Sequence, residues 1–446
     1  MAENTTHVLI VGGGYVGMYT ALRLQKRLRK ELRRGAVEIT VVDPQSYMTY
    51  QPFLPEAAAG NLEPRHVVAP LRRVLKRCTI LNGRVVRIDH EHRRARVRPV
   101  GDETDEQREL SYDRLVLAAG SISRTLPIPG LADCGIGFKT VGEAIYLRNH
   151  VLARMDVAAS TDDPQVRRRA LTFVFVGGGF AGVEALAELE DMAKDACRYY
   201  PGIERSDMRW ILLEASDHIL PEVGPDMGRW TVEALRERGI EVKLETLLKS
   251  AEHDEIVLSD GESFEAGTLV WTAGVKPHPV VRATDLPVDD KGRVKATADL
   301  TVEDCPGAYT AGDNAAVPDL TKPGEFCAPN AQHAVRQAKR LADNVVADLR
   351  GRPRKPYKHA YIGSVASLGL HKGVAQLYGI KLRGFLAWFV HRTYHLSRVP
   401  TLNRKVRVTL DWTLALFFKR DVVSLGALQR PREEFELATG QLEIKS

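Results

Sequence analysis

The residues best suited to chemistry lie in two glycine-punctuated stretches, VLIVGGGYVGMYTAL at 8–22 and FVFVGGGFAGVEAL at 173–186. Gly12, Gly14 and Gly17 in the first, and Gly177, Gly179 and Gly182 in the second, fit G-x-G-x-x-G. In that pattern the first glycine permits a tight turn, the second lets backbone approach a pyrophosphate, and the third lets a helix pack on a strand. Tyr15 and Val16 in one copy, and Phe180 in the other, sit where the helix begins and its unpaired N–H groups would meet phosphate. A single match is weak, because glycine-rich turns also simply join strands to helices. Two matches, each in strand–turn–helix context, point to two dinucleotide sites.

Each copy also ends its second strand in an acid that can accept hydrogen bonds from a ribose. VEITVVD delivers Asp43 and MRWILLE delivers Glu214. These acids come 26 and 32 residues after the third glycine, later than the usual ~20. The long charged stretches LRLQKRLRKELRRG and EDMAKDACRYYPGIERSD account for the excess. After Glu214, ASDHIL contains no Lys or Arg that could meet a 2′-phosphate, so the second site reads as NAD(H) rather than NADP(H).

These residues need strands and turns to hold them. VLIV and FVFV read as buried strands, and GVEALAELEDMAK as a helix. SYDRLVLAAGS (111–121) sets another strand against a small-residue turn at Ala118–Gly120, with Ala119 and Gly120 as flavin-side candidates. CPGAYTAGDNAAV (305–317) ends a strand at Gly312 and Asp313, suited to a ribityl chain and pyrophosphate. TLVWTAGVKP (268–277) is the second module's own return, turning at Ala273 and Gly274. Val86 is a further flavin-side candidate. Because a hydride needs both a donor and an acceptor, the pair of sites reads as FAD in the first module and NADH in the second.

Taken together, the order G-x-G-x-x-G, YD…AAG, G-x-G-x-x-G, WTAG, AGD resembles the two-dinucleotide-binding flavoproteins of glutathione-reductase-like architecture. YQPFLPEAAAG (50–60), VGGGFAGVE, WTAGV, AGDNAAV and the C-terminal FLAWF, HLSRV and LDW stretches are similar to the type II NADH dehydrogenases, the single-chain NADH:quinone oxidoreductases. The resemblance implies an α/β fold with two Rossmann-like dinucleotide-binding domains and a C-terminal amphipathic membrane-association region. Turn-rich boundaries at 125–135, 159–169 and 298–307 divide the chain accordingly. Residues 1–125 and 300–358 form a discontinuous FAD domain, 126–299 an NAD(H) domain, and 359–446 the membrane-association region. The implied activity is hydride transfer from NADH to FAD, then two electrons to a membrane quinone, without proton pumping.

Three catalytic candidates follow from the resemblance. Glu184 resembles the family's carboxylate between nicotinamide and quinone regions; the alternative is an exposed first-turn acid favoured by the helix dipole. PNAQHAVRQAKR (329–340) lies where the family carries A-Q-x-A-x-Q on a helix bordering flavin and quinone. Ala331, Gln332 and Ala334 match, but Arg336 stands at the second Gln position. Gln337 comes one residue late, about 100° round a helix, and does not substitute for it. Arg336 reads either as a donor to a quinone or hydroquinone oxygen or as a surface cation, which leaves the acceptor open.

Composition narrows the classes. A chain of 446 residues, 44% hydrophobic and without low-complexity tracts, holds two full domains and a smaller third rather than a disordered protein. Its five cysteines include no C-x-x-C pair, which removes support for thioredoxin-reductase and zinc readings. Sulfide:quinone oxidoreductases use cysteines beside the flavin, and Cys327 lies near the family's quinone segment; the plainer reading is an unpaired cytosolic thiol. MAENTTHVLI has no basic region or cleavable apolar stretch, and an intracellular location is expected.

The net charge of +6 is uneven: residues 351–420 carry fourteen Lys and Arg against one acid, Asp411, together with Phe385, Trp388, Phe389, Trp412, Phe417 and Phe418. Cations with interleaved aromatics suit an anionic lipid surface better than nucleic acid, for which no binding motif appears. No uncharged stretch approaches the ~20 residues needed to span a bilayer, so the chain is expected to lie on the cytoplasmic side of the cell membrane as a peripheral protein. Leu386, Phe389, Val390, Thr393 and Leu396 fit one helix face, whereas Val406, Val408, Leu410, Trp412, Leu414 and Leu416 alternate like a strand. Leu410, Leu414, Phe417 and Phe418 fit a helix equally well, and the family resemblance favours helix. The expected partners are NADH, a membrane quinone and anionic lipid, without nucleic acid; a homodimer is an open expectation. Two other readings stay open, a flavin- and NAD-binding redox sensor with a basic interaction tail and a reductase of another acceptor, such as a sulfide:quinone-like enzyme.

Overall fold

Runs of Val, Ile and Leu without polar interruption form strands only where both sheet faces are covered, and parallel sheets supply such cover. A computed structural model describes residues 5–101, 106–359, 363–425 and 431–439. The chain separates into two units, one made of residues 1–50, 68–124 and 274–361, the other of 51–67, 125–273 and 362–446.

In the first unit the strands Ala308–Thr310, Arg114–Leu117, Thr6–Val11, Val37–Asp43 and Thr79–Asp89 lie side by side in that order, all parallel. Arg94–Pro99 and Arg108–Ser111 extend the sheet antiparallel. The helices Tyr15–Arg27 and Ala331–Leu349 bury Met18, Leu24, Leu341 and Val345 in one core over this sheet. Their pairing is fixed by Arg23, whose Nε and Nη2 donate to both oxygens of Asp343 at 2.8 and 2.6 Å.

The second unit repeats the plan. Gly135–Gly137, Thr268–Trp271, Thr172–Val176, Arg209–Leu213 and Ile240–Lys243 form a parallel sheet in that order. Every residue of Thr172–Val176 is buried, and Phe173 stacks on Trp210 at 4.2 Å. The helix Phe180–Ala196 follows the second glycine turn. This unit also holds the antiparallel strands Gly363–Ser367, Gly373–Leu377 and Ile380–Arg383, the helices Gly384–Arg398 and Leu402–Phe417, and the short helix Leu54–Ala58.

Three expectations need adjusting. The chain returns to the first unit at Gly274 rather than 300, because Val275–Pro277 pairs with Ser121–Ser123 and Val294–Lys295 with Ala315–Ala316. Residues from 362 onward group with the second unit rather than forming a separate region; of these, 362, 426–430 and 440–446 lie outside the described residues. The stretch 159–169 is mostly helical. Asp163 accepts the N–H groups of Gln165 and Val166 at 2.7 and 3.3 Å and starts the helix Pro164–Ala170, so the Asp-Pro pair is a cap, not a linker.

The strand-like alternation at 406–416 resolves as helix. Thr401 Oγ accepts the N–H of Arg404 at 3.2 Å and starts Leu402–Phe417. With that start fixed, Leu402, Val406, Leu410 and Leu414 fall on one face at a spacing of four.

Candidate functional site

The two glycine turns have the same internal geometry. Gly12 has φ +102° and Gly177 φ +115°, backbone that L side chains rarely adopt. A Cβ on Gly17 would collide with Gly12 O, and one on Gly182 with Gly177 O, so the third glycine is required by the protein's own packing. Gly14 and Gly179 differ: each is exposed, and a Cβ there would meet nothing within 4 Å. Protein packing does not demand glycine at these two positions, whereas close approach by a ligand would. Both are helix N-caps without a capping side chain, which leaves first-turn N–H groups for an anion. The residues therefore fit a dinucleotide pyrophosphate at each turn.

The two acids also act alike. Asp43 Oδ2 accepts the N–H of Gly13 at 2.6 Å, and Glu214 Oε2 accepts that of Gly178 at 2.6 Å. Their second oxygens accept from Gln45 at 2.6 Å and Ser216 at 2.8 Å. Each carboxylate is thus held at the edge of its turn with lone pairs left for ribose hydroxyls. Burial raises the Asp43 carboxyl above its ordinary value, against the backbone bonds that lower it.

Around the first turn the structure gathers several sequence candidates. A Cβ on Gly12 would collide with Ala118 O, and one on Gly312 would lie 2.7 Å from Val16 Cγ2, so these turns touch. Ser121 Oγ donates to Asp313 Oδ2 at 2.6 Å. Tyr15 stacks on Tyr19, and Ala119 lies beside Gly120, whose φ is +66°. Val86 is half-buried at a register shift in the strand Thr79–Asp89, where a bulge can re-aim a side chain. Phe180 is half-buried at the start of its helix, and Ala273 follows the strand Thr268–Trp271.

Two residues in this neighbourhood escaped sequence reasoning. Asn314 Oδ1 accepts the N–H of Gly120 at 3.0 Å while its Nδ2 donates to Leu117 O at 3.1 Å, tying two turns together. Gln337 is buried, and its Oε1 accepts the N–H of Gly312 at 2.8 Å. The displaced glutamine of 329–340 thus holds a turn. Asn314 stood in the quoted AGDN; Gln337 gave no signal beyond being amide-bearing and off register.

Gln332 is half-buried in the first turn of Ala331–Leu349, its N–H accepted by Asn330 Oδ1 at 2.6 Å. Arg336 is half-buried rather than a free surface cation: its Nη1 donates to His359 Nδ1 at 3.3 Å, and Tyr357 Oη lies 3.0 Å from the same nitrogen. Burial, then His333 and Arg336, push His359 down to about 4, so it is neutral at pH 7. Cys327 is a buried free thiol raised to about 11 by burial, which keeps it protonated and a poor nucleophile.

Glu184 is 6% exposed, not the exposed first-turn acid of the alternative reading. Its Oε1 accepts the N–H of Ser367 at 2.8 Å and lies 3.1 Å from His391 Nε2. Beside it, Glu56 Oε2 accepts from Arg392 Nη2 at 2.7 Å and from Trp412 Nε1 at 2.8 Å. Arg392 lies over the rings of Trp388 and Trp412 at 4.2 and 4.8 Å, and Phe53 meets Trp412 edge-on at 5.6 Å. The FLAWF, HLSRV and LDW stretches are therefore anchored on QPFLPEAAAG inside one unit.

That packing turns the helix Gly384–Arg398 inside out. Trp388, His391 and Arg392 face inward, while Phe385, Leu386 and Phe389 are exposed. Leu402, Val406, Leu410, Leu414 and Phe417 are exposed in the next helix, Leu402 at 77% and Phe417 at 78%. Fewer cations are free than the sequence count suggests, because Arg392 pairs with Glu56, Arg420 with Asp195 at 2.8 Å, and Lys381 with Asp226 at 2.7 Å. No described helix is long and apolar enough to cross a membrane.

Residues 6–338 match the model of the pyridine nucleotide-disulphide oxidoreductase family. A probable NADH dehydrogenase of Dictyostelium discoideum is 29% identical over 94% of this chain and 91% of its own length. A type II NADH:quinone oxidoreductase of Staphylococcus epidermidis is 30% identical over 90% of this chain and 97% of its own. The solved structure of NDH2 from Plasmodium falciparum in complex with NADH superposes with a TM-score of 0.85 at 18% identity, covering 94% of this chain and all of that one.

Proposed function

The chain belongs to the pyridine nucleotide-disulphide oxidoreductase family and, within it, to the type II NADH:quinone oxidoreductases, and we propose from that premise how its residues divide the work. The protein oxidises NADH and reduces a quinone without pumping protons. Bound FAD supplies the hydride acceptor and the two-electron donor.

The FAD pyrophosphate is held by the turn Gly12–Gly17, with Tyr15 and Val16 at the helix start and Asp43 on the ribose. Ala119, Gly120, Gly312, Asp313 and Val86 line the rest of the flavin. NADH is held by the turn Gly177–Gly182 with Phe180, by Glu214 on its ribose, and by Ala273 and Gly274. The carrying observation is the duplicated turn: an acid 2.6 Å from the middle glycine's N–H in both copies, beneath glycines that only a ligand would require. Glu184 supplies a proton toward quinone oxygen, Gln332 orients a quinone carbonyl, and Arg336 tunes which quinone is accepted.

We place the protein on the cytoplasmic surface of the cell membrane. The exposed row Leu402, Val406, Leu410, Leu414 and Phe417, flanked by Phe385, Leu386 and Phe389, supports this reading, because soluble surfaces rarely leave so continuous an apolar stripe uncovered. The buried, protonated Cys327 gives a sulfide-oxidising reading no reactive thiol.

The test is steady turnover of flavin-loaded protein with excess NADH and a lipophilic quinone, beside an acceptor screen. Sustained quinone reduction is expected. One flavin reduction followed by a stall would mark a sensor, and turnover only with another acceptor would refute quinone use.

A further inference from the structure

Glu188 stands four residues after Glu184, one turn further along Phe180–Ala196, so the two carboxyls share a helix face. It is fully buried. Its Oε1 accepts from Ser367 Oγ at 2.8 Å and its Oε2 from Asn61 Nδ2 at 3.0 Å. Ser367 also donates its backbone N–H to Glu184 at 2.8 Å, so one residue at the end of Gly363–Ser367 holds both carboxyls.

The charges facing Glu188 come from every side. Glu56 lies on Leu54–Ala58, Asp191 on its own helix, Arg392 on Gly384–Arg398, and Arg420 just beyond Leu402–Phe417. Both guanidiniums are already engaged, Arg392 with Glu56 and Arg420 with Asp195. Burial, with Glu56 and Asp191 adding like charge, outweighs them and pushes the Glu188 carboxyl up to about 7.

Two neighbours have buried polar atoms without a satisfied hydrogen bond. His391 is 1% exposed, and neither ring nitrogen makes an aligned hydrogen bond, although Nε2 points at Glu184 from 3.1 Å. Oε1 of Glu56 also has no hydrogen-bond partner among the described residues. Folded interiors rarely leave such groups. A cluster of acceptors and donors short of bonds is what an exchangeable proton, or a hydroxyl-bearing guest, would complete.

We propose that Glu188 is the proton store behind Glu184, returning a proton to it along the shared helix face, where Ser367 holds both carboxyls, after Glu184 has given one to quinone oxygen. The O–H bond breaks at Glu188 as one forms at Glu184, negative charge moves one helical turn, and hydronium from solvent later restores Glu188. The electrons come from NADH oxidation. Glu188 touches neither quinone nor flavin and acts through Glu184, so the assignment rests on Glu184 serving the quinone.

The test uses full-length, flavin-loaded Glu188→Gln, which keeps the side chain's size and the bond from Ser367, with the Asn61 amide turned so that its oxygen accepts from the new NH2. Flavin content checks folding. Rapid mixing of reduced protein with quinone on both sides of neutrality should show the wild-type rate falling as pH rises through about 7. Glu188→Gln should be roughly 10–100-fold slower and flat through that region. Infrared titration should show a protonated carboxylic acid carbonyl band that disappears near neutrality in the wild type, persists in Glu184→Gln and is absent in Glu188→Gln. Ser367→Ala, which removes a donor to the charged form, should move that titration to higher pH. A band that survives in Glu188→Gln, or an unchanged pH profile in that variant, overturns the proton store. A wild-type quinone rate in Glu184→Gln, with the Glu188 band intact, overturns the quinone role of Glu184 instead.

Discussion

Placed on the NADH ribose as proposed, Glu214 should discriminate between nicotinamide cofactors by charge. Its oxygens are pinned by Gly178 and Ser216, so it cannot swing away from a 2′-phosphate, and two unit charges ~4 Å apart repel by up to ~4 kcal/mol at a surface dielectric. Stopped-flow flavin bleaching should be at least ~10-fold faster with NADH than with NADPH; equal rates would refute the assignment. Arg336→Gln should keep its flavin, change the ranking of quinones, and let His359 titrate at higher pH, because the Arg336 charge helps lower that ring. Proton NMR of the ring reads the shift, and an unmoved titration would show that Arg336 does not act on it. Glu188 gives a stability signature as well. Its folded value lies above its unfolded one, so folding takes up a proton between about 4.5 and about 7, and stability falls as pH rises through that window. Glu188→Gln carries no such penalty and should gain up to roughly 3 kcal/mol over wild type above pH 7 but little below 4.5. Urea unfolding at the two pH values checks the sign. Gly12, Gly17, Gly177 and Gly182 were legible in the sequence because backbone geometry demands glycine there, and Asp43 and Glu214 because each stands at a strand end beside its turn. The buried setting of Glu184 was not, because the residues that cover it come from 367 and 391.

The helix Leu402–Phe417 shows what an element adds to its residues. Its sequence alternates well enough to suit a strand, and the Thr401 cap together with Trp412 on Glu56 set which side faces inward. The apolar row then faces outward, so Leu410→Asp with Leu414→Asp should leave the fold intact while removing roughly 3 kcal/mol or more of apolar burial in lipid. Flotation with anionic vesicles should show binding weakened by at least ~100-fold; unchanged binding would remove this helix from the contact. High salt should weaken wild-type binding only partly, since Arg392, Arg420 and Lys381 already pair within the protein. Elsewhere, Leu24→Ala should cost about 2–5 kcal/mol, because that side chain is sealed in the core shared with Ala331–Leu349.

At the scale of the whole molecule, two units each carry a parallel sheet with a ligand-ready turn at a strand end, so their ligands should stabilise them. FAD at a hundredfold excess over its dissociation constant should add about 2.7 kcal/mol, seen as a raised melting temperature of flavin-stripped protein. Gly14→Ala should abolish that rise while costing the flavin-free form no more than a weakened N-cap, about 1 kcal/mol, because its Cβ meets no protein atom. The sequence alone determined the two dinucleotide turns, the parallel strands and the family. These follow from local rules, in which glycine serves positive φ, an unbroken apolar run serves a strand covered on both faces, and an acid at a strand end meets ribose. Only the tertiary structure decided that Gln337 serves Gly312, that Asn314 ties Leu117 to Gly120, and that Arg392 and Arg420 are buried partners rather than lipid-facing cations. It also decided that Glu184 and Glu188 share Ser367. Each of these pairs lies far apart along the chain or depends on helix rotation, so its geometry is set by packing and not by neighbours in sequence.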